Sequence, residues 1–156
     1  MEDMRLNELN EHDEPLDSSY FFKIELWSGW AGGSIEKKYV YEDGRFVIIA
    51  QKGFNNKQLM VFRKKGQLSK VRMDKLKSFI DKQLSLIGSS STDTIDMSCG
   101  ISYIFNGKQY AITGDFDTYE KADKILSLKV EFTQSRKEYE EDQWRSKYPE
   151  VLDDKK

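Results

Sequence analysis

Strict alternation of apolar and polar positions begins at Tyr20. Tyr20, Phe22, Ile24 and Leu26 fall on one side of an extended chain, and Phe21, Lys23, Glu25 and Trp27 on the other. A period of two predicts a half-buried strand. Residues 28–34, with Gly29, Gly32 and Gly33, read as a loop. Residues 35–41 read as a second strand, with Lys37 and Lys38 keeping part of it wet. Residues 46–50 are almost wholly apolar, which predicts a central strand covered on both faces. Between these two strands lies Glu42-Asp43-Gly44-Arg45, a hairpin signal. Residues 53–57 read as a turn, and 58–63 as a fourth strand closed by Lys64-Lys65-Gly66.

The period then changes. Met73, Leu76, Ile80, Leu84 and Ile87 step by three and four with Phe79 alongside, which predicts an amphipathic helix over 72–87 stopped at Gly88. Residues 89–96 read as a polar loop. Residues 100–105 and 108–113 flank Asn106-Gly107, a second hairpin signal. Asp117 followed by Glu120 resembles a capping box, so a helix is expected to start at Asp117 or Thr118. From 118 to 148 there is no Gly or Pro. Ala122, Ile125, Leu128, Phe132 and Tyr139 fit one helical face, and one long helix is favoured. Leu126, Leu128, Val130 and Phe132 also alternate, so a short helix followed by a strand stays open. The expected fold is α+β: an antiparallel sheet of about six strands (ββββ-α-ββ-α), one helix packed on a face and a C-terminal helix.

Charge changes this picture at the ends. The net charge of −2 hides an uneven distribution: −6 over residues 1–19, +7 over 20–114 and −3 over 115–156. Residues 1–19 show no periodicity and read as a disordered acidic arm. Docking of that arm on the basic middle, or on a partner, is the alternative. Residues 20–148 then form a single α+β domain, and 149–156 a C-terminal tail. The amino-terminal sequence has no basic start followed by an apolar run, no stretch is apolar enough to span a membrane, and the one cysteine allows no internal disulfide. These features lead to the expectation of a cytoplasmic protein without membrane contact.

Catalytic chemistry finds little to work with. Cys99 needs a base, and the only histidine, His12, lies in the arm; a thiol without such a partner is not an activated nucleophile. No Gly-x-Ser-x-Gly elbow accompanies the Ser89-Ser90-Ser91 run. One His and one Cys do not make the usual zinc sets. Asp115, Asp117 and Glu120 read as helix-start residues before they read as ligands. Gly29-Trp30-Ala31-Gly32-Gly33 lacks the Lys-Ser or Lys-Thr of a phosphate loop and precedes a strand. No enzyme, cofactor or metal is expected.

Two features stand out as binding candidates. Trp27 and Trp30 flank a glycine-bearing loop, with Tyr39 and Tyr41 on the next strand, and such aromatics concentrate binding energy. Arg63, Lys64, Lys65, Lys70, Arg72, Lys75 and Lys77 lie close together along the chain and could contact phosphates or an acidic protein. The predicted contact set is Trp27, Trp30, Tyr39, Tyr41, Arg63, Lys64, Lys65 and Arg72. An acidic pI of about 5.6 weighs against nucleic acid.

Over residues 20–133, the strands joined at Asp43-Gly44, followed by a helix and a second hairpin, resemble small uncharacterised bacterial α+β domains. In character the chain also resembles immunity proteins of bacterial polymorphic toxin systems. That resemblance implies a small cytoplasmic protein without catalytic residues; no functional residue carries over from it. The expectation is a non-enzymatic protein-binding module, an immunity protein that neutralises a toxin by direct binding. A nucleic-acid-associated protein using the basic cluster is the alternative. Oligomeric state is not encoded in any of these features.

Overall fold

The structure, a computed structural model, describes residues 1–28, 33–54, 58–84 and 97–147. The chain forms β1 (Glu2–Asp3), a 3-10 turn (Leu6–Glu8), β2 (Phe22–Ser28), β3 (Ser34–Val40), β4 (Arg45–Phe54) and β5 (Gln58–Gln67). Then come α1 (Lys70–Phe79), which widens into a π-helical turn (Ile80–Leu84), and the hairpin β6 (Met97–Phe105) and β7 (Lys108–Thr113). The chain closes with α2 (Phe116–Leu126), β8 (Gln134–Ser135) and α3 (Arg136–Lys147). The sheet order is β1-β5-β4-β3-β2-β6-β7, with β8 also on β5, and every pairing is antiparallel. The α+β architecture, the antiparallel sheet and the C-terminal helix agree with the sequence reading; the two added strands are two residues each.

Strands β2 to β5 follow one another as a meander. The hairpin β6–β7 then adds on the free side of β2, with Ile24 opposite Ile101. Both tight turns use the residues expected of them. Gly44 has φ +89°, and its N–H donates to the Tyr41 carbonyl at 2.9 Å. Asn106 (φ +52°) and Gly107 (φ +76°) are both left-handed, as a two-residue hairpin requires.

The two faces of the sheet are covered differently. On the near face, Phe22, Ile24, Val40, Phe46, Ile48, Ala50, Phe62, Ile101, Tyr103 and Ile112 meet Met73, Leu76 and Phe79 of α1, Ile80 and Leu84 of the π turn, and Tyr119, Ala122 and Leu126 of α2. The predicted helical stripe is the buried one, except that Ile87 lies outside the described residues. The Tyr103 hydroxyl donates to the Leu84 carbonyl at 2.7 Å, which gives the wide turn a partner. Arg72 ties the helices together by donating to the Ile125 carbonyl at 2.9 Å. Lys38, 2% exposed, reaches Asp123 of α2 at 2.6 Å. On the far face a second, smaller core holds Met4, Leu9, Tyr39, Tyr41, Val47 and Ile49 with Tyr20 packed against it. Residues 46–50 therefore do form a central strand covered on both faces.

Three expectations are corrected. Residues 1–19, read as a disordered arm, lie against the far face. Met4, Leu9 and Pro15 are buried, β1 pairs with β5, and the Met4 N–H donates to the Arg63 carbonyl at 2.8 Å. The apolar Met4 and Leu9 supply burial that an acidic composition obscures. The run 118–148 is not one helix. Ser127, left-handed at φ +52°, caps α2 with its N–H on the Asp123 carbonyl, and Leu128, Val130 and Phe132 then pack on the core from a segment without regular secondary structure. Burial alternates along those residues as their spacing does, yet no strand forms over them; a two-residue strand, β8, follows and a helix returns as α3. The start of α2 is also earlier than the capping-box pattern indicated: Asp115 is the cap and accepts from the Thr118 N–H at 3.0 Å. The expected loop at 89–96, the stop at Gly88 and the tail at 149–156 lie outside the described residues.

Candidate functional site

β5 is where both acidic ends of the chain converge. β1 lies along its outer edge opposite Lys64 and Lys65, and β8 pairs further along, opposite Met60 and Val61. Side chains of β5 alternate. Arg63 and Lys65 belong to the far face, whereas Phe62 joins the near core and Lys64 lies over its ring at 5.9 Å.

The basic residues are met one by one by carboxylates of the amino-terminal segment. Arg63 Nη2 donates to Asp13 at 2.9 Å, Lys65 Nζ to Glu8 at 2.6 Å, Lys64 Nζ to Asp3, and Arg45 Nη2 to Asp17 at 3.2 Å. Arg63 is 2% exposed, and its guanidinium stacks over the ring of Tyr139 on α3, 5.0 Å from the centroid. Its Nη1 has no hydrogen-bond partner, and neither do the hydroxyls of Tyr39 and Tyr139. Burial pushes the phenols of Tyr39 and Tyr41 up, the latter to about 12. Burial likewise pushes Tyr139 up to about 12, opposed by the Arg63 charge.

The segment's carboxylates respond to these partners. Burial acts to raise Glu8, but the Lys65 ammonium, the Arg5 N–H and the two positive charges outweigh it and hold the group below its ordinary value. Ser19, through its hydroxyl and its N–H, and then Arg45 hold Asp17 down. For Glu8, whose Lys65 partner lies on the sheet, a lowered folded value means that docking is fully supported above the ordinary value of 4.5 and is lost as pH falls through the lowered one. We therefore expect the Met4 methyl signal to move toward its random-coil position below about pH 4 while core isoleucine methyls hold. Undocking as pH rises from 7 to 9 would have the wrong sign.

The sequence-derived contact residues are thus dispersed. Tyr39 is fully buried and Tyr41 nearly so. Tyr39 stacks edge-on against Tyr20 at 4.8 Å, and Tyr41 lies under the Arg45 guanidinium at 4.6 Å. Arg63 is buried, Lys64 and Lys65 are half-buried in ion pairs, and Arg72 is spent on Ile125. These residues do not make one open basic surface. Trp27 alone of the described set is exposed, at 39%, with its indole N–H on Glu25 at 3.0 Å. Trp30 lies outside the described residues.

A surface the sequence reading missed lies on the far face beyond β3. By register, Lys23, Ser102 and Ala111 form one row across β2, β6 and β7, and Glu25, Gly100 and Thr113 the next. Trp27 stands beside these rows. Lys23 and Glu25, paired at 3.1 Å, are largely buried, Ala111 and Thr113 are exposed, and no described strand pairs with the outer edge of β7. Small residues at alternate positions of β6 and β7 were the available signal.

Other chemistry is sparse. Cys99 is buried on the near face, and burial pushes its thiol up; His12 lies across the sheet in the amino-terminal segment, beside Glu11 at 3.4 Å. Among the described residues no three His, Cys, Asp or Glu side chains group as a metal site, and no described helix is long and apolar enough to cross a membrane. In comparisons with known proteins, no family model matches this chain and no curated protein matches it.

Proposed function

We propose that the chain is a non-enzymatic protein-binding module whose docking surface is the β6–β7 side of the far sheet face, bounded by Trp27 and the edge of β7 that no described strand pairs with. The observation that carries this reading is the asymmetry of cover. The far face is packed over β3 to β5, whereas no described element covers it at β7, where Ala111 and Thr113 are exposed and Gly100 and Ser102 of β6 lead back to the exposed Trp27. An open strand edge supplies backbone donors and acceptors to an incoming strand, and a tryptophan beside small side chains supplies an anchor. The neutralisation of Arg63, Lys64 and Lys65 within the chain favours a protein partner over nucleic acid. Within this class, the architectural resemblance supports an immunity protein covering the active surface of a toxin.

The test is capture from a lysate of the source cells by the tagged chain, with Trp27→Ala and Ala111→Arg as paired controls. A single stoichiometric protein retained by the native chain and lost by both variants, at unchanged melting temperature, is the expected outcome. Equal capture by all three, or recovery of nuclease-sensitive nucleic acid alone, would overturn the reading.

A further inference from the structure

We infer that the face of β5 beneath the amino-terminal segment is a second docking site, for an acidic segment of a protein partner, and that residues 1–17 are its displaceable internal occupant. The inference is independent of the β6–β7 surface.

Arg63 is the first ground. A guanidinium presents a fork of donors that matches both oxygens of a carboxylate. Buried at 2% exposure, Arg63 has Nη2 engaged by Asp13, and Nη1 is left without a partner. Two tyrosine hydroxyls of the same far face, Tyr39 and Tyr139, are also unpartnered. A buried donor without an acceptor is a standing cost, so the present occupant fits its main anchor imperfectly. A carboxylate reaching both Nη atoms would fit it better.

The second ground is how lightly the occupant is held. β1 is two residues long, and a cleft of about 750 Å³ remains between the segment and the sheet, lined in part by Met4, Leu16, Tyr41, Val47, Lys65 and Gly66. The ion pairs of Lys64 and Lys65 are partly exposed and can be exchanged for equivalent pairs from outside at little net change. Residues 17–19 are exposed, and Asp17, held by Arg45 at 3.2 Å and by the Tyr41 hydroxyl on its carbonyl at 2.7 Å, is the last tether to release before β2 begins. The occupant also defines what replaces it: a short strand on the β5 edge with a carboxylate opposite Lys64, followed by a folded-back turn whose carboxylates reach Lys65 and Arg63.

The probe is a fluorescein-labelled synthetic peptide of residues 1–17, read by anisotropy against the full chain carrying Asp3→Cys, Lys64→Cys and Asp13→Asn. Residues 3 and 64 are directly paired, and such antiparallel partners sit about 4.5–5.5 Å apart, within disulfide range. The oxidised protein therefore holds its own segment closed, and the reduced protein, lacking the Asp13 contact, holds it loosely. We expect the reduced form to bind the peptide at least tenfold more tightly than the oxidised form, and Arg63→Lys in the reduced form to abolish most of that gain. A scrambled peptide of the same composition should bind no better than to the oxidised protein. Equal binding by the two redox forms, no binding by either while both keep a cooperative melting transition, or equal binding of the scrambled peptide would overturn the inference. A dimer formed by the reduced form alone, seen in sedimentation, would assign the site to the segment of a second copy and overturn the external partner.

Discussion

Arg63→Ala will lower the stability of the fold by on the order of 3 kcal/mol, read from the denaturant midpoint at unchanged slope. The guanidinium fills the space between β5 and the Tyr139 ring and carries the positive charge that Asp13 faces. Truncation leaves a void beneath α3 and a carboxylate with a lost partner, and the two costs add. Arg63→Met is the informative companion. It keeps most of the packing and removes the orphaned Nη1 donor along with the charge, so it should cost less than half as much. If alanine and methionine are equally harmful, charge rather than packing holds α3 to the sheet. If neither matters, the buried placement of Arg63 is wrong.

Asp123→Ala is expected to cost about 3 kcal/mol. The reason is the residue it strands: Lys38 is 2% exposed on β3, and Asp123 of α2 is the partner of its ammonium at 2.6 Å. Without the carboxylate, Lys38 must keep an unpaired charge in the near core or drag α2 aside to reach water. The double variant Lys38→Met/Asp123→Ala removes charge and partner together and should recover most of the loss, because a buried ion pair replaced by apolar bulk is often neutral. A double variant as unstable as Asp123→Ala alone would show that Asp123 acts through α2 itself.

Much of this fold was written in short-range pattern. The hairpin dipeptides Asp43-Gly44 and Asn106-Gly107 and the stripe Met73, Leu76, Ile80, Leu84 all mark the elements expected of them, since each depends on local geometry alone. What failed depends on long-range partners. The acidic composition of residues 1–19 pointed to a solvated arm, yet the all-apolar run 46–50 required cover on both faces, and only one helix was assigned to it. The arm, with Met4 and Leu9, is that second cover. The same docking explains why Tyr39, Tyr41 and Arg63 looked like surface anchors and are core residues. A cluster along the sequence is not a cluster on a surface when a strand alternates and a distant carboxylate waits opposite. In 118–148, the left-handed Ser127 ends the helix without a glycine, which no composition rule would single out. The β6–β7 side of the far face escaped notice because small residues such as Gly100 and Ala111 carry no chemistry of their own.

The far-face core and the second site on β5 both turn on the amino-terminal segment lying on the sheet. Amide hydrogen exchange at pH 7, resolved by residue, tests that most directly. The Met4 N–H on the Arg63 carbonyl, the Asn10 N–H on the Glu14 carbonyl and the Leu16 N–H on the Glu8 carbonyl should be protected, less than the amides of β4 but well above unstructured rates. Lys64→Glu together with Lys65→Glu should release all three at once and leave β4 unchanged. Exchange of these amides at the unstructured rate in the native chain would contradict the docked segment, and with it the second site on β5.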